Sequence, residues 1–366
     1  MNRVRIVDLP GIEVDKEVVG EQAYHLLSAP ALVRYALAQA DALILPAQYR
    51  TGDPDRFELR RDCPLFVDAC LQNPNNTVRK AADDIARRLG RNLGFILLTL
   101  HRGDPENRQV RPDWTAREWA RWHRIREVHI GGGIVSGILG DRLIHTAREL
   151  IASAGYANYL NVTKSPLPRS MAVLGASRYL PPYTHNALCL DIGQTSIKAA
   201  IAQYEEGVLT GLTWLPTSNV AWRWRNAPEA ADSIDPDEVL RFVTQEILKL
   251  LEAANRQGIV LDPDIMISIA AYVHGGELLG NGIYARMRLL DEDTRVLLAH
   301  AIQDKANHNT VVHLIHDGTA AAAVHAGEKD AVVLVLGTAI GVGFVPESAL
   351  MLRPISPDVR YQQSVA

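Results

Sequence analysis

The 366-residue sequence predicts an α/β protein built as two lobes. Helix and strand signals alternate along the chain. The length exceeds what one hydrophobic core usually spans, and 47% hydrophobic against 22% charged residues is the balance of a packed globular enzyme. The clearest helix follows Asp235-Pro236-Asp237-Glu238, where Asp235 can cap, Pro236 suits the first turn and Glu238 holds the capping-box position. Val239, Val243, Ile247, Leu250, Leu251 and Ala254 then share one face, and Gly258 supplies a stop. A second helix starts near Asn76-Thr77 and carries Ile85, Leu89, Leu93, Ile96 and Leu100 on one side. A third opens at Gly140-Asp141.

Strands are expected at Ala187–Ile192, Ile197–Gln203, Gly207–Trp214, Ile265–Ala270, Val311–Ile315 and Ala331–Leu336. The first three read as an antiparallel meander turning at Glu205-Glu206-Gly207. Two prolines make Leu180–Asn186 the expected linker.

Thirty-eight Lys+Arg against 42 Asp+Glu give a formal charge of -4, which argues against a nucleic-acid partner held by counterion release. The first residues lack the apolar run of a signal peptide, and no apolar run matches a bilayer, so no membrane partner is expected. Cys63, Cys70 and Cys189 have no CxxC spacing; they fit a reducing cytoplasm and argue against a disulfide framework or a structural zinc.

Three glycine-rich turns share a logic. In Leu190-Asp191-Ile192-Gly193-Gln194-Thr195-Ser196, a tight turn at Gly193 would aim amides and the Thr195 hydroxyl at phosphate oxygens, while Asp191 could hold a hydrated Mg²⁺. The alternative is an ordinary hairpin. In His316-Asp317-Gly318-Thr319 before Ala320–Ala323, Asp317 can act as general base, or Asp317 or Thr319 can simply cap the alanine helix. The alanine run itself suggests close backbone packing. In Leu336-Gly337-Thr338-Ala339-Ile340-Gly341-Val342-Gly343, bare main chain admits a nucleotide phosphate, or forms a buried bulged hairpin. A fourth cluster, Gly131-Gly132-Gly133, could take adenine or ribose, or be a plain loop.

Together these segments resemble the superfamily of sugar kinases, heat-shock chaperones and actin, and within it the ROK family of repressors, uncharacterised proteins and sugar kinases. Asp191–Lys198 matches the family's DxGxTxxK, His316–Ala322 the turn usually written NDxxAAA, and Leu336–Gly343 its LGTGIGGG. The segments come in a permuted order. Residues around Gly131–Gly133 and Ala172–Ala176, which the family places last, precede the linker here. The resemblance therefore implies a circularly permuted, two-lobed actin-like (ribonuclease H-like) fold with an interlobe nucleotide cleft. One lobe would comprise residues 1–180 and 329–366, the other 187–328.

The same resemblance implies an ATP- and Mg²⁺-dependent kinase for a hydroxyl of a sugar or sugar-like metabolite. Asp317 would be the base and Asp191 the Mg²⁺ anchor through water. Phosphates would lie at Gly193, Gln194, Thr195, Gly337 and Thr338, and adenosine near Gly131–Gly133. Asn281 and His316 are the candidate substrate contacts, and Lys198 is expected to face solvent or a carboxylate. The chain departs from the family in lacking ExGH after the hairpin, in lacking the CxCGxxGC zinc loop, and in carrying His316 where Asn is usual. A nucleotide- or sugar-responsive binding protein with little or no kinase activity is the alternative, and a chaperone-like ATP hydrolase a third.

Residues 102–127 exceed what the resemblance predicts and hold Trp114, Trp119, Trp122 and many arginines, with a capping box at Thr115-Ala116-Arg117-Glu118. The segment reads either as a subunit contact in a homodimer or a clamp for an anionic ligand, or as a surface helix with its tryptophans packed on the lobe.

Overall fold

The computed structural model describes residues 1–50, 57–220, 234–280, 282–306 and 309–363. It begins with helices α1 (Ala23–Leu27), α2 (Ala29–Ala38), α3 (Phe57–Leu71), α4 (Asn76–Arg102), α5 (Pro105–Gln109) and α6 (Ala116–Arg124). Strand β1 (Glu127–Gly131), α7 (Ile138–Ser153), β2 (Asn161–Lys164) and α8 (Met171–Ser177) follow. Strands β3 (Asn186–Ile192), β4 (Ser196–Glu205), β5 (Val208–Trp214) and β6 (Ser218–Asn219) lead to α9 (Pro236–Arg256). Then come β7 (Asp264–Ile269), β8 (Tyr272–His274), β9 (Glu277–Leu279), α10 (Thr294–Ala306), β10 (Val311–His316) and α11 (Asp317–Ala323). Strands β11 (Ala331–Leu336), β12 (Ile340–Phe344) and β13 (Ile355–Gln363) close the order. The expected α/β class holds. Among the described residues no helix is long and apolar enough to cross a membrane.

The chain divides into two compact units, each with its own sheet and apolar core. The first comprises Met1–Arg169 and Lys329–Phe344. Its sheet runs β12-β11-β1-β2, with β11, β1 and β2 parallel and β12 antiparallel at one edge. Helix α4 packs along α7. It starts at Asn76, as expected, with the Asn75 side chain accepting the Thr77 N–H as its cap. It ends at Gly103 in the left-handed conformation. Helix α7 starts two residues before Gly140, since the Asp68 carboxylate of α3 accepts the Leu139 N–H at 2.6 Å. A cap supplied from a distant helix leaves no local sequence signal.

The expected capping box of Thr115 and Glu118 is present at α6. Trp119 and Trp122 are buried in the first unit's core, and the Arg111 and Arg121 guanidinium groups lie over the rings of Trp114 and Phe344. This geometry favours the reading of a surface helix whose tryptophans pack on the lobe.

The second unit comprises Ser170–Glu328 and Val345–Ala366. Its main sheet runs β10-β7-β3-β4-β5-β13, and β6 pairs with β4. Strands β3, β4 and β5 form the expected antiparallel meander, while β7 and β10 lie parallel to β3. Helix α9 is capped by Asp235 through the Asp237 N–H and buries every apolar residue assigned to its face. Each large aliphatic side chain so buried contributes about 1.5–3 kcal/mol.

Two boundaries differ from the sequence reading. The division falls before α8 rather than at the proline linker, because α8 packs on α11 and β3. Residues 345–366, assigned above to the first lobe, group with the second unit because β13 pairs in parallel with β5. Arg353 anchors this segment from a buried position: its Nε donates to the Gly207 carbonyl at 2.9 Å, and its Nη1 to those of Pro181 and Thr184 at 2.8 Å. The same guanidinium lies over the Tyr204 ring. Removing it strands three carbonyls, so Arg353→Ala should cost about 3 kcal/mol. Thermal denaturation and hydrogen exchange should show a lower melting temperature with protection lost first over 355–363; unchanged protection there would refute the anchoring role.

Candidate active site

The register of the second sheet builds the site. Ile192, Ile269 and His316 are aligned at the carboxyl ends of β3, β7 and β10, the edge where parallel α/β sheets bind ligands. One residue back on β3 stands Asp191, opposite Ser268 on β7 and Lys198 on β4. Directly opposed residues point to the same face of a sheet. The Lys198 ammonium therefore reaches Asp191 Oδ2 at 3.0 Å, and the Ser268 hydroxyl faces Oδ1 at 3.4 Å. Lys198 faces a carboxylate, one of the two outcomes the sequence allowed. Asp191 is buried, with that ammonium as its charge partner.

After Asp191 the chain turns through Gly193. The Gly193 N–H donates to the Ser196 carbonyl at 3.1 Å, and the Thr195 carbonyl accepts from Val220 N at 3.2 Å. The buried Tyr284 hydroxyl donates to the Gly193 carbonyl at 2.8 Å, clamping the loop from below. Burial, and then the charge of Asp191, push the Tyr284 phenol up, so it remains a donor at neutral pH. Gln194 is exposed at the tip of this loop.

Asp317 follows β10 as the first residue of α11. The packed surroundings and then the neighbouring Asp191 charge push its carboxyl up to about 7, against the pull of the Gly318 N–H and of Lys198. Its tip stays open on one side, with 30% of the side chain exposed. The cap of α11 is neither Asp317 nor Thr319 but His316, whose Nδ1 accepts the Thr319 N–H. Across the His316 ring lies Tyr272, centroids 4.8 Å apart and planes inclined by 18°, with 68% of the tyrosine exposed. The small residues of α11 serve packing, as their composition suggested: a Cβ on Gly175 of α8 would fall inside the van der Waals radius of the Ala320 carbonyl oxygen.

The other predicted residues gather in the first unit. Gly131 pairs with Val335, and Gly132 adopts φ +102° against the backbone of Leu336, where a Cβ would collide. Its N–H donates to the Pro168 carbonyl at 2.7 Å. The close approach that demands glycine at 132 is thus made by the protein's own main chain. Gly133 faces open space. The Gly337 carbonyl accepts from Ala29 N at 2.8 Å, and Thr338 lies half-buried at the adjoining turn. Asn281 lies outside the described residues.

The sequence reading missed Ser268, Tyr272 and Tyr284. Ser268 had a faint signal as the one hydroxyl inside the apolar run Ile265–Ile269. Tyr284 sits on a 3₁₀ turn over Tyr284–Leu289, and nothing local ties it to Gly193, 91 positions away. No protein-family model matches the chain, and no curated protein matches its sequence.

Proposed function

We propose that the chain is an ATP-dependent phosphotransferase acting on a hydroxyl of a sugar or sugar-like metabolite, on a circularly permuted actin-like, ribonuclease H-like framework. The observation that carries this reading is the grouping of Asp191, Lys198, the Gly193 turn and Asp317 along the carboxyl edge of β3, β7 and β10. The strand order β10-β7-β3-β4-β5, with β4 alone antiparallel to the rest, supports the framework. So does the first unit, where the β11–β12 hairpin lies beside β1 and β2 from far earlier in the chain.

The donor set suits Mg²⁺. A single carboxylate with a hydroxyl beside it fits a hard cation that keeps most of its water. Asp191 would hold the ion through water, and the ion would neutralise phosphate charge. Lys198, fixed beside Asp191, adds a second positive charge at the same edge. Asp317 takes the proton of the acceptor hydroxyl as its oxygen bonds to the γ-phosphorus, the bond to the β-bridging oxygen breaks, and ADP leaves. A base whose pKa sits near 7 is matched to that transfer at neutral pH.

The test is ADP release measured with and without a panel of sugars and polyols. Acceptor-stimulated turnover with a phosphorylated product supports the kinase. Nucleotide binding without turnover supports a sensor instead, and turnover indifferent to every acceptor supports a hydrolase. Asp191→Asn should lower acceptor-dependent turnover at least tenfold and raise the Mg²⁺ concentration needed for half-maximal rate. An unchanged Mg²⁺ requirement would remove Asp191 from the metal-binding role.

A further inference from the structure

We infer that Tyr284 is a positioning residue for the phosphate site: by taking the Gly193 carbonyl it keeps the β3–β4 hairpin from closing, and so leaves the Gln194, Thr195 and Ser196 amides to the polyphosphate chain of the nucleotide. The inference rests on the phosphotransferase reading and adds to it a residue outside the three matched motifs.

Strands β3 and β4 pair as far as Ile192 and Ile197, so Gly193 and Ser196 are the next opposed residues, with Gln194 and Thr195 between them. In a closed two-residue hairpin such a flanking pair exchanges two hydrogen bonds. Only one is made here. The Gly193 N–H donates to the Ser196 carbonyl at 3.1 Å, while no bond runs from the Ser196 N–H to the Gly193 carbonyl. That carbonyl accepts the Tyr284 hydroxyl at 2.8 Å instead. A trans peptide carries its C=O and N–H on opposite sides. The Gly193 carbonyl, turned toward the buried phenol, therefore turns the Gln194 N–H away from it, at the exposed tip of the loop. Among the described residues no protein group accepts from the N–H of Gln194, Thr195 or Ser196. Consecutive amides without an internal acceptor are the donors that an anion needs. The tyrosine is firmly seated for this task. Ala285 and Met287 of its 3₁₀ turn are buried with it, and the turn packs on α9 and β9. Arg286 Nε donates to the Ile234 carbonyl at 3.3 Å and Arg288 Nη1 to the Gly280 carbonyl at 2.6 Å, tying the turn down on both sides.

Tyr284→Phe removes the donor and keeps the buried ring. Without the hydroxyl, the Gly193 carbonyl takes the Ser196 N–H and the turn closes. With the full-length protein and Mg²⁺, the Kd for inorganic tripolyphosphate and the KM for ATP should each rise roughly tenfold, the worth of one amide-to-phosphate bond. The kcat and the acceptor KM should stay within about twofold. Backbone amide exchange supplies a readout that a merely structural role would not move. In the unaltered protein the Ser196 amide should exchange freely and gain protection when tripolyphosphate is added; in Tyr284→Phe it should be protected with no ligand present. A Ser196 amide already protected in the unaltered, unliganded protein, one indifferent to tripolyphosphate, or a Tyr284→Phe protein with unchanged tripolyphosphate affinity would each overturn the inference. Tripolyphosphate binding with the expected exchange pattern, but no turnover of ATP with any acceptor, would instead strike the kinase reading and leave the role of Tyr284 standing.

Discussion

Asp317→Asn should reduce acceptor-dependent ADP release by a hundredfold or more and, at pH 8, make the protein melt higher than the unaltered chain. On the proposed mechanism the activity loss follows from removing the base, whose contribution is typically 10²–10⁴-fold. The stability gain follows from the cost of keeping a carboxylate in this place. Its folded pKa of about 7 lies above the ordinary value of 3.8. Between those two values the unfolded chain gives up its proton while the folded one keeps it, so fewer protons are bound on unfolding and stability falls as pH rises. Below about pH 4 both states hold the proton and the penalty is absent; above about pH 7 it is complete. With the tip partly open to water, a discounted penalty of about 2 kcal/mol is reasonable, a rise of roughly 2–4 °C for the amide. The gap between the two melting curves should close as pH falls towards 4, and turnover of the unaltered protein should climb through pH 7. An Asn variant that melts lower at every pH would show Asp317 to be a structural cap.

The same pair of carboxylates illustrates which parts of this molecule the sequence discloses. The strands around Asp191 and Asp317 were legible because each combines an apolar run, β-branched in the case of Val311–Ile315, with a glycine or alanine break, and those signals are local. The face of α9 was legible for the same reason, since a 3.6-residue period needs no partner to be seen. The start of α7 was misjudged because its cap is remote, the Asp68 carboxylate of α3, whereas the start of α4 at Asn76 was legible because its cap, Asn75, is local. Side-chain partnerships across the site were legible only when strand pairing was obvious. The meander implies that Lys198 opposes Asp191, whereas the Tyr284 clamp and the Tyr272 stack depend on loops whose path no local signal gives. The placement of residues 345–366 failed on the same ground. A parallel pairing such as that of β13 with β5 joins segments far apart in the chain, Ile355 with Leu209 and Gln363 with Trp214, and is fixed by tertiary packing and the carbonyl cage around Arg353.

Gly175→Ala should be the most damaging of the conservative substitutions, although it adds one methyl group far along the chain from Asp317. In α8 the residues Met171–Ser177 cross α11 so closely that the Gly175 Cα rests on the Ala320 main chain, and a Cβ would overlap the Ala320 carbonyl oxygen and approach its carbon. Backbone cannot rotate away as a flexible side chain can, so α8 and α11 must separate. That separation opens the packing around Ala320–Ala323, all of them fully buried, and such overpacking costs typically 1–3 kcal/mol and sometimes more. Because α11 begins at Asp317 and is capped by His316, any shift of its axis also carries the carboxylate away from Asp191 and the Gly193 turn. Turnover should therefore fall by more than the loss of folded protein explains. Normalising activity to the folded fraction, from circular dichroism at several urea concentrations, separates the two effects. Gly175→Ser should behave like the alanine variant, since both carry the offending Cβ, whereas Gly133→Ala, at a glycine with open space around it, should leave stability nearly unchanged. A Gly175→Ala protein with normal melting and normal turnover would mean that α8 does not hold the helix that presents the base.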